Sequence, residues 1–471
     1  MEIIHVSAEC YPVAKVGGLG DVVGALPKYQ QQAGSIAKVV LPAYRTRFVE
    51  THDFEQVHQS GVWVGQQWYH FNVLKESSNE LGFDLYLVEI PDLFNSARVY
   101  GAWNDTERFL AFQIAVLDWI NDWAHVPDVI HCHDHHTGLI PFLIKHAYKY
   151  HRISGIPTVL TIHNAQYQGQ FGWDQMHRLP AFDPAKGGLI GWNNAINPLA
   201  AAIKNAWKVT TVSPGYMREL YSDANGLEDL LNYEKGKTSG ILNGIDTQVW
   251  DPATDPMITA NYKAASVTKG KEANKLALCE KFNLDPKLPL FSFIGRLVAD
   301  KGADLLPDVV GRSLYELEDR LNFLVLGSGD PHIEWMLEQT LALNPEGFKL
   351  FIGYNEALSH QIYAGSDFLL MPSRVEPCGL NQMYALRYGT IPIVRATGGL
   401  RDTVTDFGDK DGNGVRFLHA SSHDVTHAIG RALDLYADDK MHQKMRKNNM
   451  LIDHSWDRSA QQYLDLYNSL K

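Results

Sequence analysis

Cysteine is scarce in this sequence, and its few copies lie far apart. The 471 residues include four cysteines, and no two have the Cys-x-x-Cys spacing of zinc or redox sites. A disulfide framework is typical of much smaller chains, so we expect none here. The four cysteines are Cys10, Cys132, Cys279 and Cys378.

Long apolar runs and an excess of positive charge are also absent. No run approaches the roughly 20 apolar residues of a membrane span. The N-terminus lacks the basic region and apolar core of a signal peptide. The formal net charge is −12, which disfavours binding to nucleic acid or an anionic membrane. We therefore expect a cytoplasmic protein with neither of these partners, although a local cluster of lysine and arginine can still bind a small anion.

Apolar strand-like runs alternate with amphipathic helix-like runs through most of the chain, which predicts an α/β fold with parallel sheets. The pattern restarts after a polar interval at 251–287, so we expect two Rossmann-like domains. The predicted boundaries are 1–245, 246–452 and a C-terminal helix in 453–471, which packs back on one of the domains, with the N-terminal domain as our expectation. The predicted strands are Ile3–Ala8, Ala37–Leu41, Phe83–Val88, Asp128–Cys132, Thr158–Ile162, Val209–Ser213, Leu290–Ile294, Asn322–Leu326, Lys349–Ile352, Asp367–Met371 and Ile391–Val394. The predicted helices are Asp21–Gln32, Thr106–Trp123, Thr137–Tyr150, Gly302–Tyr315, Pro331–Ala342, Cys378–Tyr388, His423–Tyr436 and Trp456–Leu470.

A glycine-rich stretch with a lysine separates the first predicted strand from the first helix. Glycines let backbone N–H groups approach an anion closely, and a helix start adds partial positive charge. Lys15, Gly17, Gly18 and Asp21 are therefore candidates for contacting a phosphate. The dinucleotide-binding motif fits poorly, because no acidic residue follows at the required distance. A glycine turn without a ligand is the alternative.

Polar clusters follow two predicted strands of the first domain. His131–His136 invites a metal interpretation, but neighbours on an extended chain point to opposite faces, so these side chains cannot all reach one ion. We therefore predict no metal site. Asp134 and His163 each follow a strand, at the edge where open α/β sheets bind ligands. Both are candidates for meeting a substrate, and a satisfied loop histidine is the alternative for His163.

Basic and acidic residues follow strands of the second domain as well. Arg296 and Lys301 come just after a predicted strand, where they suit a diphosphate. Glu376 stands before a predicted helix start whose N–H groups, at Cys378–Leu380, are free to face a ligand. Tyr354 is placed to stack on a base, with a core tyrosine as the alternative.

These stretches, in this order, resemble the bacterial glycogen synthase and plant starch synthase family of retaining glucosyltransferases. The resemblance runs from the N-terminus to the Trp456 region and implies the GT-B fold, with two Rossmann-like domains facing a deep cleft. The stretches that carry it are Ser7-Ala8-Glu9, Lys15 to Asp21, His133-Asp134, Thr161 to Asn164, Tyr167-Gln168-Gly169, Asn243 to Asp246, Gly295-Arg296-Leu297, Lys301-Gly302, Pro372 to Leu380 and Thr397 to Leu400.

The resemblance also implies a role for each site residue. Asp134 and His163 match positions beside the reacting carbon, and Asn243 matches one facing the donor sugar. The family's other matching positions are Lys15, Gly17 and Gly18 in the donor loop, Arg296 and Lys301 in the diphosphate clamp, Tyr354 on the base, and Glu376 with the amides of Cys378, Gly379 and Leu380 at the donor glucose.

The implied reaction moves glucose from ADP-glucose to the end of an α-1,4-glucan with retained configuration and no cofactor. UDP-glucose as donor, a related GT-B glucosyltransferase and a non-catalytic glucan-binding protein are the alternatives. Retention by same-face attack is the family's favoured route, and a covalent intermediate on Glu376 is the other. Two residues depart from the family pattern, because Val16 and Asn381 stand where threonine is usual.

Overall fold

The structure, a computed structural model, describes residues 1–317 and 320–470. These residues form two compact units. Unit 1 comprises Met1–Asn243 and the C-terminal segment from Trp456, and unit 2 is Gly244–Ser455. Within the described ranges, no helix combines the length and the hydrophobicity that crossing a membrane requires.

Strands and helices alternate through the first part of unit 1. Its elements are β1 (Glu2–Val6), α1 (Gly18–Gln32), β2 (Ile36–Pro42), α2 (Arg47–Thr51), β3 (Phe54–Val64), β4 (Gln67–Glu76), β5 (Asp84–Glu89), α3 (Asp105–Asn121), β6 (Val129–His133), α4 (Ile140–His146), β7 (Thr158–Ile162), β8 (Gly191–Trp192), β9 (Ala195–Ile196), α5 (Pro198–Asn205), β10 (Lys208–Thr211), α6 (Pro214–Leu220), α7 (Glu228–Tyr233) and β11 (Thr238–Gly240).

Unit 2 has the same alternation. Its elements are α8 (Val267–Phe282), β12 (Leu290–Ile294), α9 (Leu306–Glu316), β13 (Asn322–Gly327), α10 (Pro331–Leu343), β14 (Phe348–Ile352), α11 (Glu356–Gly365), β15 (Phe368–Met371), α12 (Asn381–Arg387), β16 (Ile391–Arg395), α13 (Gly398–Thr403), β17 (Val415–Phe417), α14 (Ser422–Ala437) and α15 (Asp439–Asn449).

The last helix, α16 (Trp456–Asn468), returns to unit 1. It buries the apolar face that its spacing predicts, formed by Trp456, Ala460, Tyr463, Leu464 and Tyr467. This face packs against Ile3, Val22, Leu26, Tyr29, Val129 and Val159 in one core cluster.

Each unit is built on one main sheet. The nine-stranded sheet of unit 1 has the order β11-β10-β7-β6-β1-β2-β5-β4-β3, parallel except at β4 and β3. The six-stranded sheet of unit 2 has the order β14-β13-β12-β15-β16-β17 and is parallel throughout. Parallel strands end at one edge of a sheet, so the segments that follow β1, β6 and β7 lie together, as do those after β12, β14 and β15. The predicted α/β class is confirmed.

Four predicted helices begin at least three residues from their predicted start or are broken. The first helix starts at Gly18, so part of the glycine stretch is helical. Thr137–Tyr150 is interrupted, because Pro141 suits only the first turn of α4 and Ala147 is extended. Gly302 and Gly379 have φ of 67° and 74°, a left-handed conformation that excludes both from the helices predicted to contain them.

A hairpin and a long helix are among the elements that were not predicted from the sequence. The hairpin of β3 and β4 was not predicted, because β3 is largely exposed and its polar residues hide the alternation. The interval predicted as a polar connection, 251–287, contains the 16-residue helix α8. Its lysines disguised it, although Lys271 and Lys275 are buried.

Candidate active site

The glycine loop of unit 1 is held by a buried glutamate. Glu9 Oε2 accepts hydrogen bonds from the backbone N–H groups of Val16 and Gly17, at 2.5 and 2.8 Å. Its other oxygen accepts from the Tyr100 hydroxyl at 2.7 Å. These two N–H groups are therefore used within the protein, and the loop is organised before any anion arrives.

The same loop also offers a positive charge and open space to a ligand. Lys15 Nζ is 2.6 Å from Asp21 Oδ1, and the Lys15 side chain remains 42% exposed. A Cβ added to Gly17 or Gly18 would meet no other atom within 4 Å. The start of α1 at Gly18 is therefore open, and a ligand that approaches it meets helix N–H groups and the lysine.

Asp134 and His163 come together at the ends of neighbouring strands. The register pairs His133 with Thr161, and Asp134 Oδ1 accepts from the His163 N–H at 2.7 Å. Asp134 has a φ of 56°, an uncommon backbone conformation for this residue type. Burial raises the pKa of Asp134 to about 7, against the opposing effect of N–H donors from His163 and Asn164. The carboxyl group therefore changes charge near neutral pH.

The His163 ring is neutral and is hydrogen-bonded to a buried histidine of β6. Its Nε2 is 3.0 Å from His133 Nδ1. Burial lowers the pKa of His163 to about 3, so the ring carries no positive charge at neutral pH. It can position a hydroxyl group but cannot neutralise a phosphate.

The histidines that suggested a metal site lie in two different environments. The rings of His131 and His133, two residues apart on β6, share a face with His5 of β1, and nitrogens of the three lie within 4.8 Å of one another. His5 lies far from both in the sequence, so the local pattern gave no sign that it joins them. By contrast, His135 and His136 lie after the strand, in a short 3-10 turn.

Asn243 is the last residue of the first stretch of unit 1 and is buried. Across residues 1–317 and 320–470, its Oδ1 has no hydrogen-bond partner. A buried amide oxygen without a hydrogen-bond partner destabilises the folded state, so this atom is a candidate acceptor for a ligand hydroxyl.

An ion pair dominates the candidate site of unit 2. Lys301 Nζ is 2.6 Å from Glu376 Oε1, and Ser373 Oγ donates to Glu376 Oε2 at 2.9 Å. Glu376 is only 7% exposed. The pairing depends on the turn at Gly302, where a Cβ would lie 2.2 Å from the Pro372 carbonyl oxygen. Both oxygens of the glutamate are thereby engaged.

Two further predicted residues follow strands at the same edge of this sheet. Arg296 follows β12, and Tyr354 follows β14 with 86% of its surface exposed. Because β13 lies between β12 and β14, one strand separates these two residues along the edge of the sheet. Both side chains are open to solvent, which a role in ligand binding requires.

The segment before α12 is shaped by glycines on both sides. Gly379 is left-handed, and α12 starts only at Asn381, so Cys378, Gly379 and Leu380 lie before the helix and not in it. Gly399 donates to the Glu376 carbonyl oxygen at 3.1 Å. A Cβ at Gly399 would lie 2.1 Å from the Cys378 carbonyl oxygen. The Gly398-Gly399 pair therefore supports the Glu376 segment from behind.

Of the two departures from the family pattern, the structure explains one. Asn381 Nδ2 donates to the Ile294 carbonyl oxygen at 2.7 Å, which ties the start of α12 to the end of β12. Val16 is exposed, and nothing in the structure explains it.

Three residues that support the site were missed as site residues. Glu9 had a usable signal, since it closely follows the first strand within Ser7-Ala8-Glu9. Tyr100 and Ser373 had none, because their hydrogen bonds to Glu9 and Glu376 depend on the tertiary fold.

Two family models match most of the chain. Residues 2–233 match the starch synthase catalytic domain, and residues 275–450 match glycosyl transferases group 1.

Relatives and solved structures match it over nearly the full length. Glycogen synthase of Flavobacterium johnsoniae is 56% identical over 99% of both chains, and that of Bacillus cereus is 39% identical over 100% of both. The catalytic domain of starch synthase IV from Arabidopsis thaliana, bound to ADP and acarbose, has a TM-score of 0.87 at 34% identity, covering 100% and 99% of the two chains. Sucrose-phosphate synthase from Thermosynechococcus elongatus is similar in fold, with a TM-score of 0.63 at 18% identity over 99% and 98% of the chains.

Two parallel α/β units with these matches define a hexosyltransferase of the GT-B fold. Within that class, the chain belongs to the family of glycogen synthases and starch synthases.

Proposed function

We propose that this enzyme transfers glucose from ADP-glucose to the 4-hydroxyl at the non-reducing end of an α-1,4-glucan, with retention, in the cytoplasm. The observation that carries the proposal is the 56% identity to a glycogen synthase over 99% of both chains. The solved relative bound to ADP and acarbose supports the choice of nucleotide and of glucan. The cytoplasmic location is supported by four separated cysteines, which are all buried and form no disulfide with one another.

In this proposal, protein cations replace a metal at the donor diphosphate. Arg296 and Lys301 bind the diphosphate, and Lys15 with the open N-terminus of α1 adds charge. Charge that develops on the leaving group is stabilised best by groups already in place. Tyr354 stacks on the base, since its ring is exposed beside the end of a strand.

The donor glucose is held by the segment around Glu376. The amides of Cys378, Gly379 and Leu380 precede α12 and are placed by the left-handed Gly379. Glu376 stabilises positive charge that develops on the sugar. Because Lys301 and Ser373 occupy its two oxygens, we favour same-face attack over a covalent bond to this carboxylate.

The acceptor glucan meets neutral and polar groups of unit 1. A pocket of about 230 Å³ is lined by Gln166, Gln168, Gly169, Gln170 and Asn225. Amide side chains without charge suit the hydroxyl groups of a neutral glucan. Asp134, His163 and Asn243 meet hydroxyl groups of the reacting sugars, for which the unpartnered Asn243 Oδ1 offers an acceptor.

A donor comparison tests the proposal. Purified protein is incubated with glycogen and either ADP-glucose or UDP-glucose, and the product is digested to identify new α-1,4 linkages. We expect transfer with ADP-glucose, loss of it in Glu376→Ala, and no change in Glu338→Ala, an exposed glutamate of α10. Transfer from UDP-glucose alone would refute the donor assignment, and transfer from neither would refute the activity.

A further inference from the structure

The rings of four buried histidines form one cluster inside unit 1, and the proposed function uses only one of them. His5 of β1 and His131 and His133 of β6 are inaccessible to solvent, and His163 is 8% exposed. Their rings stack side by side, with centroids 4.3 Å apart for His131 and His133 and 5.4 Å apart for His5 and His133. Such a cluster needs every ring nitrogen to find a partner.

One end of the network is anchored on a backbone carbonyl. A carbonyl oxygen only accepts, so Thr210 Oγ1 donates to Leu160 O at 3.3 Å. With that proton used, Thr161 Oγ1 donates to Thr210 Oγ1 at 2.6 Å. His131 Nε2 must then donate to Thr161 Oγ1, also at 2.6 Å.

The direction of donation continues through the C-terminal helix. A neutral His131 has a lone pair on Nδ1, which accepts from the Tyr467 hydroxyl at 2.6 Å. With the Tyr467 proton used, Gln30 Nε2 donates to the Tyr467 oxygen at 3.3 Å. The Gln30 amide is thereby oriented, and its Oε1 accepts from His5 Nε2 at 2.7 Å.

The last two hydrogen bonds reach His163. His5 Nδ1 accepts from His133 Nε2 at 3.1 Å. His133 Nδ1 in turn accepts from His163 Nε2 at 3.0 Å. Each step requires a neutral ring, since a cationic histidine donates from both nitrogens.

Burial keeps the rings neutral. It lowers the pKa of His5 to about 4 and that of His163 to about 3, and it holds the pKa values of His131 and His133 well below the usual range. At neutral pH each ring therefore has one N–H and one lone pair, and the direction of one hydrogen bond decides the next.

We propose that this chain of hydrogen bonds fixes His163 as the Nε2–H tautomer, so that Nδ1 presents a lone pair that accepts from a sugar hydroxyl. Gln30, Tyr467, His5 and His133 are then positioning residues, and α16 contributes to the site through Tyr467. The sugar contact rests on the proposed function, whereas the tautomer does not.

A metal ion is the competing use of the same atoms. The nitrogens of His5, His131 and His133 are close enough to share one. However, each ring nitrogen already lies within hydrogen-bonding distance of a protein partner. An ion would have to displace several of these bonds in a site without solvent access, so we favour the hydrogen-bonded network.

The tautomer is measured directly by NMR of the full-length protein with ¹⁵N-labelled histidine, without substrate. The His163 signals are assigned by their loss in His163→Asn. We expect a protonated Nε2 and an unprotonated Nδ1 at neutral pH. A protonated Nδ1 would overturn the proposal, as would stoichiometric zinc in the purified protein. Because no substrate is present, failure of the glucosyltransferase assignment leaves this result unchanged.

Tyr467→Phe tests the role of α16. Without the hydroxyl group, the Gln30 amide is free to turn, so we expect both His163 tautomers to be populated. If activity is present, kcat falls by about fivefold, the scale of one neutral hydrogen bond, with the donor KM unchanged. Tyr463→Phe is the matched control, since Tyr463 lies one turn earlier on α16 and is equally buried. Its hydroxyl group makes none of the hydrogen bonds described above between Leu160 and His163. A single, unchanged His163 tautomer in folded Tyr467→Phe would refute the role of α16.

Discussion

At the scale of the residue, the candidate site is defined by carboxyl groups whose partners differ. Glu9 accepts from two backbone N–H groups, Glu376 pairs with Lys301, and Asp134 is buried beside a neutral histidine. Burying a carboxyl group costs free energy, and the partners of each group determine how much of that cost is offset. Substitutions that remove one carboxyl group or one partner therefore have distinguishable effects.

Asp134 makes the protein less stable as the pH rises from about 4 to about 7. Its pKa is about 7 in the folded state and about 4 when unfolded. Because the folded state holds this proton more tightly, its contribution to stability is fully present below the pKa of the unfolded state. The contribution is lost as the pH rises to about 7. We expect the free energy of unfolding to fall by roughly 2–4 kcal/mol more in wild type than in Asp134→Asn between pH 4 and pH 8. Urea denaturation at several pH values measures this difference, and parallel pH profiles would contradict it.

Lys301 forms an ion pair with Glu376, and in our proposal it also binds the donor. The Glu376 side chain is 9% exposed, and Lys301→Met leaves it with Ser373 as its only side-chain partner among the residues that the structure describes. We expect kcat to fall by about 100-fold or more, the scale of losing one preorganised charged group. The double variant Lys301→Met/Glu376→Gln should recover thermal stability without recovering activity. Calorimetry and initial rates on both variants separate the two roles, and a double variant less stable than Lys301→Met would refute the pairing argument.

Residue types at strand ends were predictable, whereas their partners were not. Asp134, His163, Arg296 and Tyr354 all follow strands as predicted, because continuous apolar runs mark buried parallel strands. The bond between Lys301 and Glu376 joins residues 75 apart in sequence. No local pattern encodes such a contact, since it depends on a left-handed turn and on the order of strands in the sheet.

At the scale of the element, unit 2 is tied together by a buried charge cluster. Asp367, just before β15, is 2.7 Å from Lys275 of α8 and 3.4 Å from Arg446 of α15, and it accepts from the Leu290 N–H of β12. Neither α8 nor α15 was predicted from the sequence. Their amphipathic faces use lysine, arginine and histidine where apolar residues are usual, so the hydrophobic pattern alone could not reveal them.

Asp367→Asn should weaken this junction of four elements. Burial alone would raise the pKa of Asp367, but Lys275 and Arg446 lower it, so the carboxylate is ionised at neutral pH. Its contribution is therefore present at neutral pH and is lost as the pH falls through its native pKa. Removing the charge leaves two buried cations uncompensated, at a cost of about 3–5 kcal/mol.

Thermal unfolding at pH 7 checks this prediction. Asp308→Asn provides the control, since Asp308 is 59% exposed and lies 3.6 Å from Arg312. We expect the control to change stability by less than about 1 kcal/mol. Equal effects of the two substitutions would show that the buried cluster does not hold unit 2 together.

At the scale of the whole molecule, unit 2 is inserted into unit 1. The chain leaves unit 1 after Asn243 and re-enters it at Trp456. Within unit 2, Ile245 donates its N–H to the His454 carbonyl oxygen at 2.8 Å, so the two connections lie side by side. Unit 2 is therefore continuous in sequence, and unit 1 depends on a helix supplied from the far end of the chain.

This arrangement predicts different behaviour for the two units when they are expressed alone. Residues 244–455 hold a complete sheet and core, so we expect a folded fragment with a cooperative thermal transition. Residues 1–243 lack α16, whose removal uncovers Ile3, Val22 and Leu26 of the core, so we expect this fragment to aggregate.

Joining residues 1–243 to 456–471 through a flexible linker of about six residues should restore folding, since such a linker spans about 13 Å. The matched control carries Trp456→Ala in the joined fragment, where the lost core side chain costs about 3–5 kcal/mol. Circular dichroism melts compare the four fragments. Cooperative unfolding of 1–243 without α16 would show that the helix is dispensable, and the role proposed for Tyr467 would then have to arise after folding of the unit and not during it.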